Sequence, residues 1–132
     1  KQAAKQMLGE EAERLVAAAE ESGGVAVVAA QAPSADQKQL LELANRVQSK
    51  LGGESAIALG GADGSKVGLV VLVSKGAVGK GVSAAAVVRE AAPLVGGGGG
   101  GRDEMAQAGG KDAAKLDEAL AAGRAAIEKA LA

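Results

Sequence analysis

The spacing of apolar residues alternates between a helical and an extended pattern along the chain. In residues 1–21 apolar side chains recur every three or four positions with glutamates between them. This predicts an amphipathic helix that ends at Ser22 and the two glycines after it. The helix is either docked on the domain or a piece of a longer helical region, and the lack of a capping residue before the pattern slightly favours the second interpretation.

Three apolar runs predict strands. Residues 25–31 are rich in valine and alanine, residues 55–59 form a second short run, and residues 66–75 are the longest candidate. Between the last two runs, residues 60–65 contain the Asp-Gly pair that is typical of a hairpin turn. The third strand is therefore expected to lie antiparallel to the second.

A helical pattern connects the first two strands. Ser34 or Asp36 is expected to cap this helix, its apolar positions follow the helical period, and Gly52 and Gly53 end it. A crossover through a helix makes the two strands parallel if they share a sheet.

The second half of the chain adds two helices on either side of a glycine-rich stretch. Residues 76–82 are predicted as a loop, and Ser83 is expected to cap a helix whose last turn is bent or closed by Pro93. Residues 105–108 are predicted as a short edge strand, after which Asp112 caps a final helix.

Together these patterns predict an α/β fold with a small mixed β-sheet. A βαβ unit plus a hairpin is followed by a helix, a glycine-rich loop, a short strand and a helix, and the N-terminal amphipathic helix precedes them. We assign residues 1–22 to that helix, as the remnant of a helical subdomain, and residues 23–132 to the globular domain.

The composition narrows the chemistry that the chain can perform. Cys, Phe, His, Thr, Trp and Tyr are all missing, which we interpret as the restricted alphabet of an engineered or ancestral-type sequence. Without His and Cys the chain lacks the commonest general base and the thiolate metal ligands. About half of the apolar residues are alanine, so we expect a thin core and modest stability, or stability gained by self-association.

The charge distribution is uneven although the net charge is only −1. Residues 66–111 carry six basic and three acidic side chains, a local net charge of +3, whereas the segments on both sides are net acidic. This imbalance is a weak sign of an anionic partner, and a solvated face explains it about as well. The apolar runs are too short to cross a membrane, and we expect a soluble, cytoplasmic protein.

Six consecutive glycines, at positions 96–101, are followed directly by Arg102. Glycine loses more backbone entropy on folding than any other residue, so such a run is costly unless the backbone has to be bare. A flexible linker and a binding loop both explain it. The position between two patterned elements, and a guanidinium suited to phosphate, favour a binding loop.

The candidate catalytic motifs are weak. Gly79 and Lys80 are followed by Gly81, so the Ser or Thr of a nucleotide-binding P-loop is missing, and the glycine run follows a helix where a dinucleotide-binding site would follow a strand. Ser74 has no His partner, and a capping role is a simpler explanation than pairing with Lys75 or Lys80. We expect no enzymatic activity, no metal site and no cofactor.

Two further motifs carry a resemblance to a known family. The chain reads V-G-G-G-G-G-G-R-D-E-M-A-Q-A-G-G from position 95, and V-S-K occupies positions 73–75. Over residues 23–131 it resembles the C-terminal domain of alanyl-tRNA synthetases, called C-Ala, which has the DHH-associated fold. The usual family form is G-G-G-x-G-G-R-P-D-M-A-Q-A-G-G.

The resemblance implies a non-catalytic module that binds the elbow of tRNA, and possibly other nucleic acids, with a helical part that supports a homodimer. Asp103 and Glu104 replace the family's Pro-Asp, which is expected to loosen the loop, and Ala113 stands where Pro often begins the last helix. The predicted RNA-binding residues, in which the two lysines are placed by charge more than by motif, are Lys75, Lys80, Gly96, Gly97, Gly98, Gly99, Gly100, Gly101, Arg102 and Gln107.

Overall fold

A computed structural model describes residues 2–32, 36–64 and 66–131, with side chains described from Glu10 onward. The strands are β1 (Glu20–Ser22), β2 (Val25–Gln31), β3 (Ser55–Asp63), β4 (Lys66–Val73), β5 (Gly98–Gly101) and β6 (Met105–Gly110). The helices are α1 (Gln2–Ala17), α2 (Gln37–Leu51), α3 (Lys75–Gly79), α4 (Ala84–Ala91) and α5 (Leu116–Leu131). Short 3-10 turns follow α4 at Ala92–Val95 and precede α5 at Ala113–Lys115.

The strands form one mixed sheet in the order β1-β2-β3-β4-β6-β5. β2 and β3 are parallel, and β3 and β4 form an antiparallel hairpin, as the sequence predicts. β6 lies between β4 and β5, so the expectation that residues 105–108 form an edge strand is wrong. The mixed α/β fold class is confirmed, and the sheet contains two strands that the sequence pattern did not reveal, β1 and β5.

Helices cover both faces of the sheet, because alternate residues of the central strands point to opposite sides. One apolar cluster joins β2, β3, β4 and β6 to α4 and α5, and a second joins the other face to α1 and α2. Most core side chains are alanine, valine or leucine. Gly60 and Gly123 show how closely these layers approach, since a Cβ would lie 2.7 Å from Leu69 Cδ2 and 3.3 Å from Val87 Cγ1 respectively.

The first helix ends earlier than predicted. α1 ends at Ala17, and Glu20–Ser22 turns back through Gly23 and Gly24 to pair with β2. Both glycines have positive φ, 58° and 82°, which suits a tight hairpin turn better than a helix end. Ala12 and Leu15 are fully buried against α2, so these positions serve the core of this chain. Dimerisation through this helix stays a prediction.

Capping residues explain where most helices begin. Asp36 accepts a hydrogen bond from the Lys38 N–H at the start of α2, and Ser83 caps α4 in the same way. Ser34, the alternative cap for α2, lies outside the described residues. Asp112 makes no capping hydrogen bond, which corrects the prediction, because a 3-10 turn separates it from α5. None of the helices in the described ranges combines the length and apolar composition that a bilayer crossing requires.

Candidate nucleic-acid interface

The glycine run forms the outer strand of the sheet. Gly98–Gly101 pairs antiparallel with β6, and all four residues are exposed. Both sequence-based alternatives, a flexible linker and a binding loop, are therefore corrected to an ordered edge strand. A strand without side chains carries no apolar alternation, so its pairing was not visible in the sequence.

Four of the six glycines are required by the fold. Gly96 ends the 3-10 turn with a φ of 70°. At Gly97, Gly99 and Gly101 a Cβ would collide with the backbone of β6, at 2.6 Å from Gly110 Cα, 2.5 Å from Ala108 Cα and 2.6 Å from Ala106 Cα. The close approach of β5 to β6 therefore depends on the absence of these side chains.

Gly98 and Gly100 are different, because a Cβ at either position would meet no atom within 4 Å. Gly100 pairs with Gln107 and Gly98 pairs with Gly109, and directly paired residues share one face of an antiparallel sheet. Gln107, half-buried, thus lies beside two bare positions. The packing of the domain does not require glycine at positions 98 and 100. Because both residues lack a side chain, this face of the sheet edge is open.

The outer edge of β5 presents backbone donors and acceptors. The Arg102 N–H donates to the Met105 carbonyl at 2.8 Å, which marks the pair as a hydrogen-bonded one. Such pairs alternate along an antiparallel ladder, so the N–H groups of Gly99 and Gly101 point away from β6. The two N–H groups are about 7 Å apart, because they are two residues apart along an extended strand. With the carbonyls of the same residues they form a short row that has no strand partner among the described residues and is followed in sequence by Arg102.

The segment that carries Arg102 is anchored. Ser83 Oγ donates to Asp103 Oδ1 at 2.7 Å, and the Ala84 N–H donates to the Asp103 carbonyl at 2.9 Å. The Val73 N–H donates to the Glu104 carbonyl at 2.7 Å. The loosening expected from Asp103 and Glu104 is thus not observed, because these contacts join the segment to α4 and to the end of β4.

The cations of the basic segment have no carboxylate partners within the described structure. The ion pairs among the described residues involve only cations outside residues 66–111, namely Arg14, Arg46, Lys50, Lys115 and Arg124. Lys75, Lys80 and Arg102 are exposed, and none of them forms an ion pair with a residue that the structure describes. Their positive potential is therefore available to an anionic ligand.

Lys75 and Arg102 line a common groove of about 830 Å³, which we call the α2 groove, between α2 and the ends of β4 and β6. Lys75 begins α3, so the prediction of a loop over residues 76–82 is wrong; the Ser74 side chain caps this helix. Lys80 lies apart from the groove, with its Nζ 3.9 Å from where a Cβ of Gly24 would be. The sequence analysis missed Asn45 and Gln48 of α2, which also line the groove.

Ser74, the serine considered as a nucleophile, lines the α2 groove together with Lys75. Ser74 Oγ accepts from the Ser55 N–H at 2.9 Å and from the Ala77 N–H at 3.4 Å, and donates to Glu54 Oε2. Its hydroxyl is thus engaged in holding local structure. Among the residues whose placement is described, no cluster of three or more acidic side chains could hold a metal ion.

Comparison with known proteins identifies the family. The family model described as the DHHA1 domain matches residues 23–129, which include the sheet from β2 onward, α4 and α5. The chain belongs to this family. The match contains the glycine strand, Arg102 and Gln107.

This DHHA1 domain is homologous to the C-terminal domain of alanyl-tRNA synthetase. It is 42% identical over 118 residues to alanine–tRNA ligase of Acetivibrio thermocellus and 45% identical over 110 residues to that of Geobacillus thermodenitrificans. These matches cover 89% and 83% of the chain but only 13% and 12% of the ligases, so the chain corresponds to a small part of its relatives.

Solved structures agree with the fold. The C-Ala domain of Aquifex aeolicus alanyl-tRNA synthetase matches with a TM-score of 0.71 and 27% identity, over 83% of this chain and 97% of that one. RecJ of Thermus thermophilus, solved in complex with Mn²⁺, matches 96% of this chain and 17% of its own length, with a TM-score of 0.61 and 17% identity. The similarity to RecJ shows a shared fold alone.

Proposed function

We propose that this DHHA1 domain is a non-catalytic RNA-binding module that contacts the elbow of tRNA through its backbone and through phosphate contacts. The observation that carries the proposal is the open glycine edge beside cations that have no carboxylate partner in the described part of the chain. Homology to a domain of alanyl-tRNA synthetase supports tRNA as the partner. A cytoplasmic location follows from such a partner.

Each part of the surface has a role in this proposal. The N–H groups of Gly99 and Gly101 donate to phosphate or ribose oxygens, and Arg102 grips a phosphate with its planar fork. Lys75 and Lys80 add positive charge at the same end of the sheet, and Gln107 hydrogen-bonds beside the bare face. Because the chain has no aromatic residue on which single-stranded bases could stack, folded RNA is the better target.

Binding of a folded tRNA at low and at physiological salt tests this function, with duplex DNA as competitor. We expect tRNA binding that weakens linearly on a plot of log affinity against log salt, because bound phosphates release counterions. DNA should compete poorly. If the protein is folded by circular dichroism and does not bind tRNA at low salt, the proposed function is wrong.

Adding a side chain at Gly100 should separate binding from folding. A valine in Gly100→Val enters open space, so the fold should persist, while the new methyl groups keep a ligand backbone away from β5. We expect tRNA affinity to fall about tenfold, equivalent to the loss of one or two hydrogen bonds. Gly79→Val, also directed into open space, is the matched control and should bind like the wild type. Equal binding by both variants would contradict a close approach at Gly100.

A further inference from the structure

Besides the two cations assigned to phosphate contacts, the α2 groove has neutral lining residues and room for a larger ligand. Its volume of about 830 Å³ lies within the usual range of small-molecule sites, roughly 300–1,000 Å³. One wall is a stripe of α2 at helical spacing, Leu41, Asn45 and Gln48. Leu72 of β4 and Met105 of β6 also line the groove, and Leu41 and Met105 pack against the apolar cluster that contains Leu72.

The lining combines apolar side chains with two side-chain amides. Leu41 and Met105, both half-buried, supply apolar contact area, and Met adapts its shape to an irregular ligand, whereas Leu72 is 9% exposed. Asn45 is exposed and Gln48 half-buried, and neither side chain makes a hydrogen bond to another described residue. Asn and Gln each offer a donor and an acceptor together, which is the pattern that reads the edge of a nucleobase.

Charge in the groove is concentrated in three side chains. Lys75 and Arg102 are positive and Glu104 is negative, so two cations and one anion give a local net charge of +1. A ligand that fits this groove has a partly apolar body, a hydrogen-bonding edge and a single attached anion. A nucleotide has all of these features.

We propose that the α2 groove binds one unstacked nucleotide of the RNA ligand. The base lies against Leu41 and Met105, Asn45 and Gln48 hydrogen-bond to its edge, and its phosphate faces Lys75 and Arg102. This inference rests on the proposed RNA-binding function and extends it, since it adds a base-reading subsite to a surface otherwise assigned to backbone and phosphate contacts. Proteins that bind RNA sequence-specifically usually recognise bases that protrude from the folded RNA.

Asn45 provides a direct test, because it is the single asparagine in the chain. Protein labelled with ¹⁵N-asparagine should show one side-chain amide group by NMR, which we would titrate with the four ribonucleoside 5′-monophosphates and with ribose 5-phosphate. We expect at least one nucleotide to shift this signal and ribose 5-phosphate to leave it unchanged. A signal that no nucleotide shifts, or that ribose 5-phosphate shifts equally, overturns the base-binding assignment. A shift by an acidic peptide but by no nucleotide would assign the groove to a peptide.

Paired variants separate this subsite from the proposed function as a whole. Asn45→Ala combined with Gln48→Ala should weaken tRNA binding about tenfold with an unchanged salt slope, because the lost groups are neutral. Gln39→Ala, on the exposed side of α2, is the control and should bind like the wild type. If wild type and double variant bind tRNA equally, the subsite is wrong and the proposed function stands. If the folded wild type does not bind tRNA, both fail.

Discussion

Gly99→Ala should destabilise the domain by about 3 kcal/mol, the upper end of the usual cost of forcing extra atoms into a packed site. The added Cβ would lie 2.5 Å from Ala108 Cα and 2.7 Å from Ala108 Cβ. Relief requires β5 to move away from β6, which breaks the hydrogen bonds of the strand pair. Since small domains have only about 5–15 kcal/mol of stability, this is a large fraction of the total.

Gly100→Ala is the matched control, one residue further along the same strand. Its Cβ enters open space, and alanine reduces the entropy of the unfolded chain, so stability should stay the same or rise by up to about 1 kcal/mol. Urea unfolding followed by far-ultraviolet circular dichroism measures both variants, because the chain has no Trp or Tyr for fluorescence. Equal free energies of unfolding for the two variants would show that β5 does not approach β6 as described.

Arg102→Ala should lower tRNA affinity about tenfold at physiological salt and reduce the salt slope by about one. The side chain is exposed and has no carboxylate partner among the described residues, so its removal leaves no buried charge behind. The free energy of unfolding should therefore remain close to that of the wild type. Titration of labelled tRNA at four or more salt concentrations measures the slope.

Arg89→Ala removes the same charge from a different surface and serves as the comparison. Arg89 is exposed on α4, where its Nε donates to the Ala85 carbonyl, and it does not line the α2 groove. It should change the salt slope by less than Arg102→Ala does. If the two variants have equal slopes, Arg102 acts only through the overall charge of the domain and does not contact a phosphate.

The glycines of the run have two different structural roles. Gly96, Gly97, Gly99 and Gly101 allow the strand to form, whereas Gly98 and Gly100 keep one face of that strand bare. A restricted-alphabet origin of the chain stays an interpretation of its composition. The physical division among the glycines holds whatever that origin is, because it follows from where each missing Cβ would lie.

Much of the central fold could be predicted from local patterns. The parallel pairing of β2 and β3 follows from their apolar runs and the helix between them, and the β3–β4 hairpin follows from its Asp-Gly turn. The family motif likewise indicated which stretch carries the candidate site. Apolar spacing reports burial and turn residues report a reversal of the chain, which is why these elements were found.

Several strands and contacts have no local sequence pattern and became visible only in the folded chain. β5 consists of glycine alone, so its pairing with β6, and the different environments of Gly99 and Gly100, depend on backbone approach between segments. β1 holds three polar residues that extend a helical pattern in sequence but complete a hairpin in the fold. Lys75, Asn45 and Arg102 meet in one groove because β4 pairs with β6 beneath α2. Residue spacing along the chain encodes which faces are buried, whereas the meeting of distant segments is set by how the buried faces pack.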